Sequence, residues 1–101
     1  MYSISYQVPA PIEAYDALHA AVKDVTASDG EGLLVHIARP TDAGFEIIEV
    51  WESEERFRTF ITQTFPKAVA TLGGMGDQQA PPMEPFELRG FLVYAKDTIV
   101  V

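Results

Sequence analysis

GLLVHIARPTDAGFEIIEVWESEERFRTF, residues Gly32 to Phe60, is the stretch in which several independent local signals agree on one architecture. Leu33 to Ala38 and Phe45 to Trp51 are short apolar runs of strand character, and the residues between them, Pro40-Thr41-Asp42-Ala43-Gly44, are turn formers. Two such runs around such a linker predict a β-hairpin. Pairing Pro40 with Phe45 sets Ala38 opposite Ile47, His36 opposite Glu49 and Leu34 opposite Trp51. Val35, Ile37, Ile48 and Val50 then share an aliphatic face, while the other face mixes an imidazole, a carboxylate and an indole. A slip of one residue would scatter both sets, which favours this register. Ser53 follows the second strand as an N-cap, with Glu54 and Glu55 in the first helical turn, where the helix dipole favours negative charge. Phe57, Phe60, Ile61 and Phe65 form the buried stripe of that helix. Pro66, which lacks an N–H, is expected to break it, leaving Lys67 to Leu72 as a further short turn before Gly73-Gly74.

Working outward, Tyr2, Ile4, Tyr6 and Val8 alternate with Ser3, Ser5 and Gln7, the period of a strand with two unlike faces. After Pro9 and Pro11 the spacing changes. Ile12, Tyr15, Leu18, His19, Val22 and Val25 fall on one stripe of a helix running to about Thr26. Ser28 to Gly32 reads as a loop, and Met75 to Pro85 as a long surface connection. A last strand is expected from Glu84 or Phe86 to Ala95, and Thr98 to Val101 is short and apolar enough to add an edge strand.

The order β-α-β-β-α-β is that of the ferredoxin-like, α+β class: one antiparallel sheet with both helices on one face. The 101 residues are expected to form one domain, 1–101. Two helices cover a single face, so the face with Trp51, Ile47 and Leu34 would be exposed in a monomer. A homodimer that closes two sheets into an α/β barrel is the expected remedy.

Charge excludes some partners. Fifteen acidic against seven basic residues give a net charge of −8, which repels phosphate backbones and anionic lipid surfaces. Neither a nucleic-acid partner nor a membrane is therefore expected. There is no cysteine, hence no disulfide framework, thiolate metal site or cysteine nucleophile. With no export signal or long apolar run at the N-terminus, the expected setting is cytoplasmic.

The glycine-led strand with its histidine (GLLVHIARP), the turn ending in Gly-Phe (DAGFEIIEVWES) and the Glu-rich helix with phenylalanines resemble the dimeric α/β-barrel superfamily. The likeness is to small bacterial proteins grouped with antibiotic biosynthesis monooxygenases. It implies a homodimer of ferredoxin-like units, each with a pocket between sheet and helices. Some members oxidise aromatic polyketides without metal or flavin, some degrade haem, and many have no known activity. Of the residues such monooxygenases place around substrate, Trp51 at the end of its strand is the one carried over, because this chain has no asparagine. The histidine that the haem-degrading branch uses has no counterpart between residues 61 and 75, which disfavours haem oxygenation.

The candidate site follows. His36 and Glu49 meet across the hairpin; a carboxylate beside an imidazole raises its basicity and orients it, as a general base requires. The other reading is a buried polar pair at a dimer interface. Trp51, Gln7 and Leu34 are the expected lining of a substrate pocket, with plain core the alternative for Trp51. His19 reads as a packing or surface histidine on the first helix. Gly73-Gly74-Met75-Gly76 follows a helix and lacks the Lys-Ser/Thr of a phosphate loop, and no histidine spacing suits a metal, so no cofactor is expected. The function implied is cofactor-independent oxidation of a small aromatic or hydrophobic metabolite; the alternative is a non-catalytic ligand-binding or structural dimeric module.

Overall fold

In the computed structural model, which describes residues 1–26, 32–73, 82–94 and 97, the elements follow in the order β1 (Tyr2–Val8), α1 (Ile12–Thr26), β2 (Leu33–Thr41), β3 (Gly44–Trp51), α2 (Glu54–Thr59), a π-helical turn (Phe60–Thr64), α3 (Phe65–Thr71) and β4 (Met83–Pro85). The strands form one antiparallel sheet in the order β2-β3-β1-β4. This is an α+β fold, an open sheet with two helical segments.

The β2–β3 hairpin pairs Pro40 with Phe45, Ala38 with Ile47 and His36 with Glu49, as the alternation predicts. Beyond Val35 the expected pairing ends. A bulge at Leu34 lets Leu33, not Leu34, sit opposite Trp51 and turns Leu34 out to solvent. The cause lies just upstream: Gly32 takes φ 93°, and its carbonyl accepts the Glu52 amide at 2.9 Å, pulling the entry to β2 across the end of β3. At the other end Asp42 and Ala43 make a two-residue turn. Gly44 has φ 154° there, and any Cβ on it would collide with the Val8 carbonyl.

Which face the helices cover differs from expectation. The side chains of Tyr2, Ile4, Phe45, Glu49, Trp51, Leu33 and His36 share one face by register. α1 meets that face through Tyr15, whose ring lies 5.6 Å from Phe45, and α2 through Phe57, whose ring lies 5.8 Å from Trp51 and 5.4 Å from Tyr2. Trp51 and Ile47, expected on the uncovered side, are therefore under the helices and buried. The aliphatic residues Val35, Ile37 and Ile48 are on the uncovered side, where Ile37 is 49% exposed.

The core is Ile4, Trp51, Phe57 and Phe60, with Tyr2, Val22, Leu33, Ile61, Phe65 and Met83 packed around it. Ser53 caps α2 by accepting the Arg56 amide at 3.2 Å. Pro66 does not break the helical run. It stands in the first turn of α3, and the preceding turn widens to π geometry, the Phe65 amide bonding to the Phe60 carbonyl. Widening that turn accommodates a ring that would otherwise clash with the carbonyl four residues back. It also sets Phe60 and Phe65 6.1 Å apart over the core.

β4 is shorter and earlier than expected. Met83–Pro85, read from sequence as the end of a loop, pairs with Tyr6, Ser5 and Ile4, a sheet edge where proline is tolerated. Phe86 to Tyr94 continues from it without regular structure, and Leu92, Val93 and Tyr94 are exposed. The expected edge strand Thr98–Val101 and most of the loops at 28–32 and 75–85 lie outside the described residues.

Candidate functional site

His36 and Glu49 meet as the register requires. His36 Nδ1 lies 2.7 Å from Glu49 Oε2, and the Trp51 indole donates to Glu49 Oε1 at 3.2 Å. The Glu49 carboxyl is buried, while the His36 side chain, on edge strand β2, keeps 23% of its surface. A carboxylate only accepts, so with Glu49 ionised both partners are donors and the His36 proton is on Nδ1. That leaves Nε2 as the acceptor nitrogen.

The Tyr15 hydroxyl, 2.7 Å away, occupies Nε2, and the same hydroxyl is 3.1 Å from His19 Nδ1. The rings of Tyr15, His19 and His36 lie nearly parallel, with centroids 5.1 to 5.9 Å apart. With His36 neutral, its Nδ1–H donates to Glu49 and the Tyr15 O–H donates to its Nε2. Burial, then the charge of Glu49, then that of Asp16 push the Tyr15 phenol up from 10 to about 12. Tyr6, on β1 beside this group, is raised well above its ordinary value by burial first, then Glu49 and Tyr15. Both phenols therefore stay protonated beside a charged carboxylate.

Of the residues expected from sequence, the fold brings together His36, Glu49 and Trp51. Trp51 is fully buried, a core residue whose indole N–H fixes the carboxylate rather than an open pocket wall. Gln7 is not with them. It stands on the opposite face, its amide bonded to Glu46 at 2.7 Å beside the Arg39–Glu46 ion pair. Leu34 is turned out by the bulge. Clefts of about 510 Å³, between the start of β1 and Pro85–Phe91, and about 400 Å³, between Pro9–Ile12 and the hairpin turn, do not include His36, Glu49 or Trp51 in their walls. His36 keeps its 23% exposure outside both clefts.

Sequence reasoning missed Tyr15 and His19 as members of the site. The signal was present: they are four residues apart, hence neighbours on one helix face, the face turned toward the sheet. Among the described residues no group of three or more His, Asp or Glu is placed to hold a metal, and no helix is long and apolar enough to cross a membrane. No protein-family model matches this chain, and no curated protein matches it in sequence.

Proposed function

We propose that this chain is a ferredoxin-like subunit of a homodimer that acts on a small aromatic or hydrophobic metabolite by acid–base chemistry, similar to the monooxygenase-like α/β-barrel proteins. The fold reading is supported by the strand order β2-β3-β1-β4 with a helical crossover after β1 and after β3, the arrangement of two interleaved βαβ halves. The dimer reading rests on the uncovered aliphatic face, Val35, Ile37 and Ile48, and on the small core of a chain this size.

One observation carries the chemistry: a partly exposed imidazole is held through Nδ1 by a buried carboxylate 2.7 Å away. His36 is the base, and Glu49 orients the ring and stabilises the imidazolium that forms. The substrate's acidic proton goes to Nε2 once the Tyr15 hydroxyl swings aside. For a methylene activated by flanking aryl or carbonyl groups, the resulting anion is oxidised by dioxygen: the carbon loses two hydrogens and becomes a carbonyl, one oxygen atom is incorporated and the other leaves as water. No external reductant is needed for that balance.

A second reading is favoured by a specific observation. Every nitrogen and oxygen of the Tyr15–His36–Glu49–Trp51 chain named above is already bonded within the protein, as in a network that only fixes the fold. Oxygen uptake with anthrone- and hydroquinone-type aromatics, alongside chemical-shift perturbation by the same compounds, separates the two. Turnover supports the enzyme, shifts at His36 without turnover support a binding module, and neither supports the structural network.

A further inference from the structure

The chain that forms β4 outruns the strand it pairs with. Its register sets Tyr6, Ser5 and Ile4 opposite Met83, Glu84 and Pro85, and the Phe86 amide bonds to the Ser3 carbonyl at 3.1 Å. One step further brings Glu87 opposite Tyr2, where β1 begins. From residue 88 onward β1 offers no partner, and residues 88–94 carry no regular structure. Phe91-Leu92-Val93-Tyr94 is nevertheless an unbroken apolar run, apolar on both of the faces that a strand would give it. Such a run suits a strand covered on both sides, whereas Leu92, Val93 and Tyr94 are 60 to 87% exposed.

The opposite edge of the sheet is open. Among the described residues β2 has no strand on its outer side. Pro40 has no N–H, so its pair with Phe45 is of the kind that exchanges no backbone bonds, and alternation makes Ala38–Ile47 and His36–Glu49 pairs of the same kind. The N–H and C=O groups of Ala38 and His36 therefore point away from β3, toward the open edge. Proline is one of the residues that block such an edge, and Pro40 does so only at the turn.

We propose that residues 88–94 of each copy of this chain add as a strand to the β2 edge of a second copy, so that each candidate site is completed by the other subunit. The exchange rests on the homodimer reading above. Two-fold symmetry gives both β2 edges a strand and leaves neither segment over. An added strand shows alternate residues to the two faces. One set, Phe91 with Val93 or Leu92 with Tyr94, joins Val35 and Ile37 on the uncovered face. The other joins His36 on the helix side, where 23% of the imidazole is exposed. Each set holds one aromatic ring and one aliphatic side chain, so in either register His36 gains an apolar wall that the clefts within one copy do not supply.

Mixed dimers of ¹³C-labelled and unlabelled protein test the exchange. The expected result is isotope-filtered contacts between residues 91–94 of one copy and 35–38 of the other, with slow solvent exchange of the His36 and Ala38 amides. In Val93→Pro, which removes an N–H at an exposed position outside the core, those two amides are expected to exchange faster by about tenfold or more while the amides of β3 that bond to β1 keep their protection. A protein that is monomeric by light scattering overturns the exchange. Fast exchange of both amides in wild type also overturns it, as does a dimer without the contacts, which leaves assembly through the uncovered sheet face standing. The contacts without turnover of an aromatic support the exchange and count against His36 as the base.

Discussion

Glu49 offers the sharpest perturbation, because two substitutions of similar size have opposite consequences for the hydrogen-bond chain. In Glu49→Gln the amide oxygen keeps the Trp51 indole bond, and the amide NH₂ replaces the oxygen that faces His36 at 2.7 Å. His36 then moves its proton to Nε2 and donates to the Tyr15 oxygen, so the bonds of His36 and Trp51 are kept. Two charge-assisted bonds become neutral ones, at a cost of about 1 kcal/mol each, offset by no longer burying a carboxylate, so stability stays within about 1 kcal/mol of wild type. Glu49→Leu leaves the Trp51 indole N–H, on a side chain with no exposed surface, without an acceptor and removes the partner of His36. Leaving that buried donor without its acceptor costs about 1–3 kcal/mol. Urea unfolding followed by the fluorescence of Trp51, the one tryptophan in the chain, reads both variants directly. With a denaturant slope of about 2 kcal/mol/M, the midpoint falls by roughly 1 M for Leu and by at most about 0.5 M for Gln. Equal losses in the two variants, or a Leu variant as stable as wild type, would refute the assigned chain of donors and acceptors.

Further outcomes follow from the same packing. Ile4→Ala, at a site 1% exposed in the centre of the core, lowers stability by about 2–5 kcal/mol in the same urea assay. Ile37→Glu, on the uncovered face, leaves the fold intact but converts a dimer to a monomer by light scattering; a wild-type protein that is already monomeric contradicts the proposed assembly. For Tyr15, a phenol harder to ionise in the folded than in the unfolded chain leaves stability untouched below about pH 10 and removes it as pH rises from about 10 through about 12. The urea midpoint therefore declines across that interval, and Tyr15→Phe makes the decline shallower.

The hairpin and its His36–Glu49 pairing were legible because period-two alternation and a turn-rich linker act over a few residues, and one register alone keeps the imidazole opposite the carboxylate. The slip at Leu34 was not, since it depends on Gly32 turning back to meet Glu52, a contact between the two ends of the stretch. Nor was the choice of covered face. Val35, Ile37 and Ile48 look like core by composition, yet the helices cover the other face, where Tyr15 meets Phe45 and Phe57 and Phe60 meet Trp51. Gln7 shared β1 with residues of the covered face, yet strand alternation sends it to the other side. Tyr15 and His19 were visible as a stripe but not as a site, because an apolar stripe gives no sign of which strand residue it will meet. Pro66 misled for a related reason: the rule against proline in helices holds for α geometry, and a π-helical turn escapes it.

The His36–Glu49 pair is proposed to do acid–base work on a substrate rather than merely to hold β2 to β3. Dioxygen consumption with an anthrone-type aromatic, compared between wild type and His36→Gln, tests it most directly, with circular dichroism and light scattering to establish that fold and assembly are retained. Wild type is expected to turn the compound over, with kcat lower by about 10²–10⁴ in the variant, the usual contribution of a positioned general base. Equal turnover by the two proteins would contradict it.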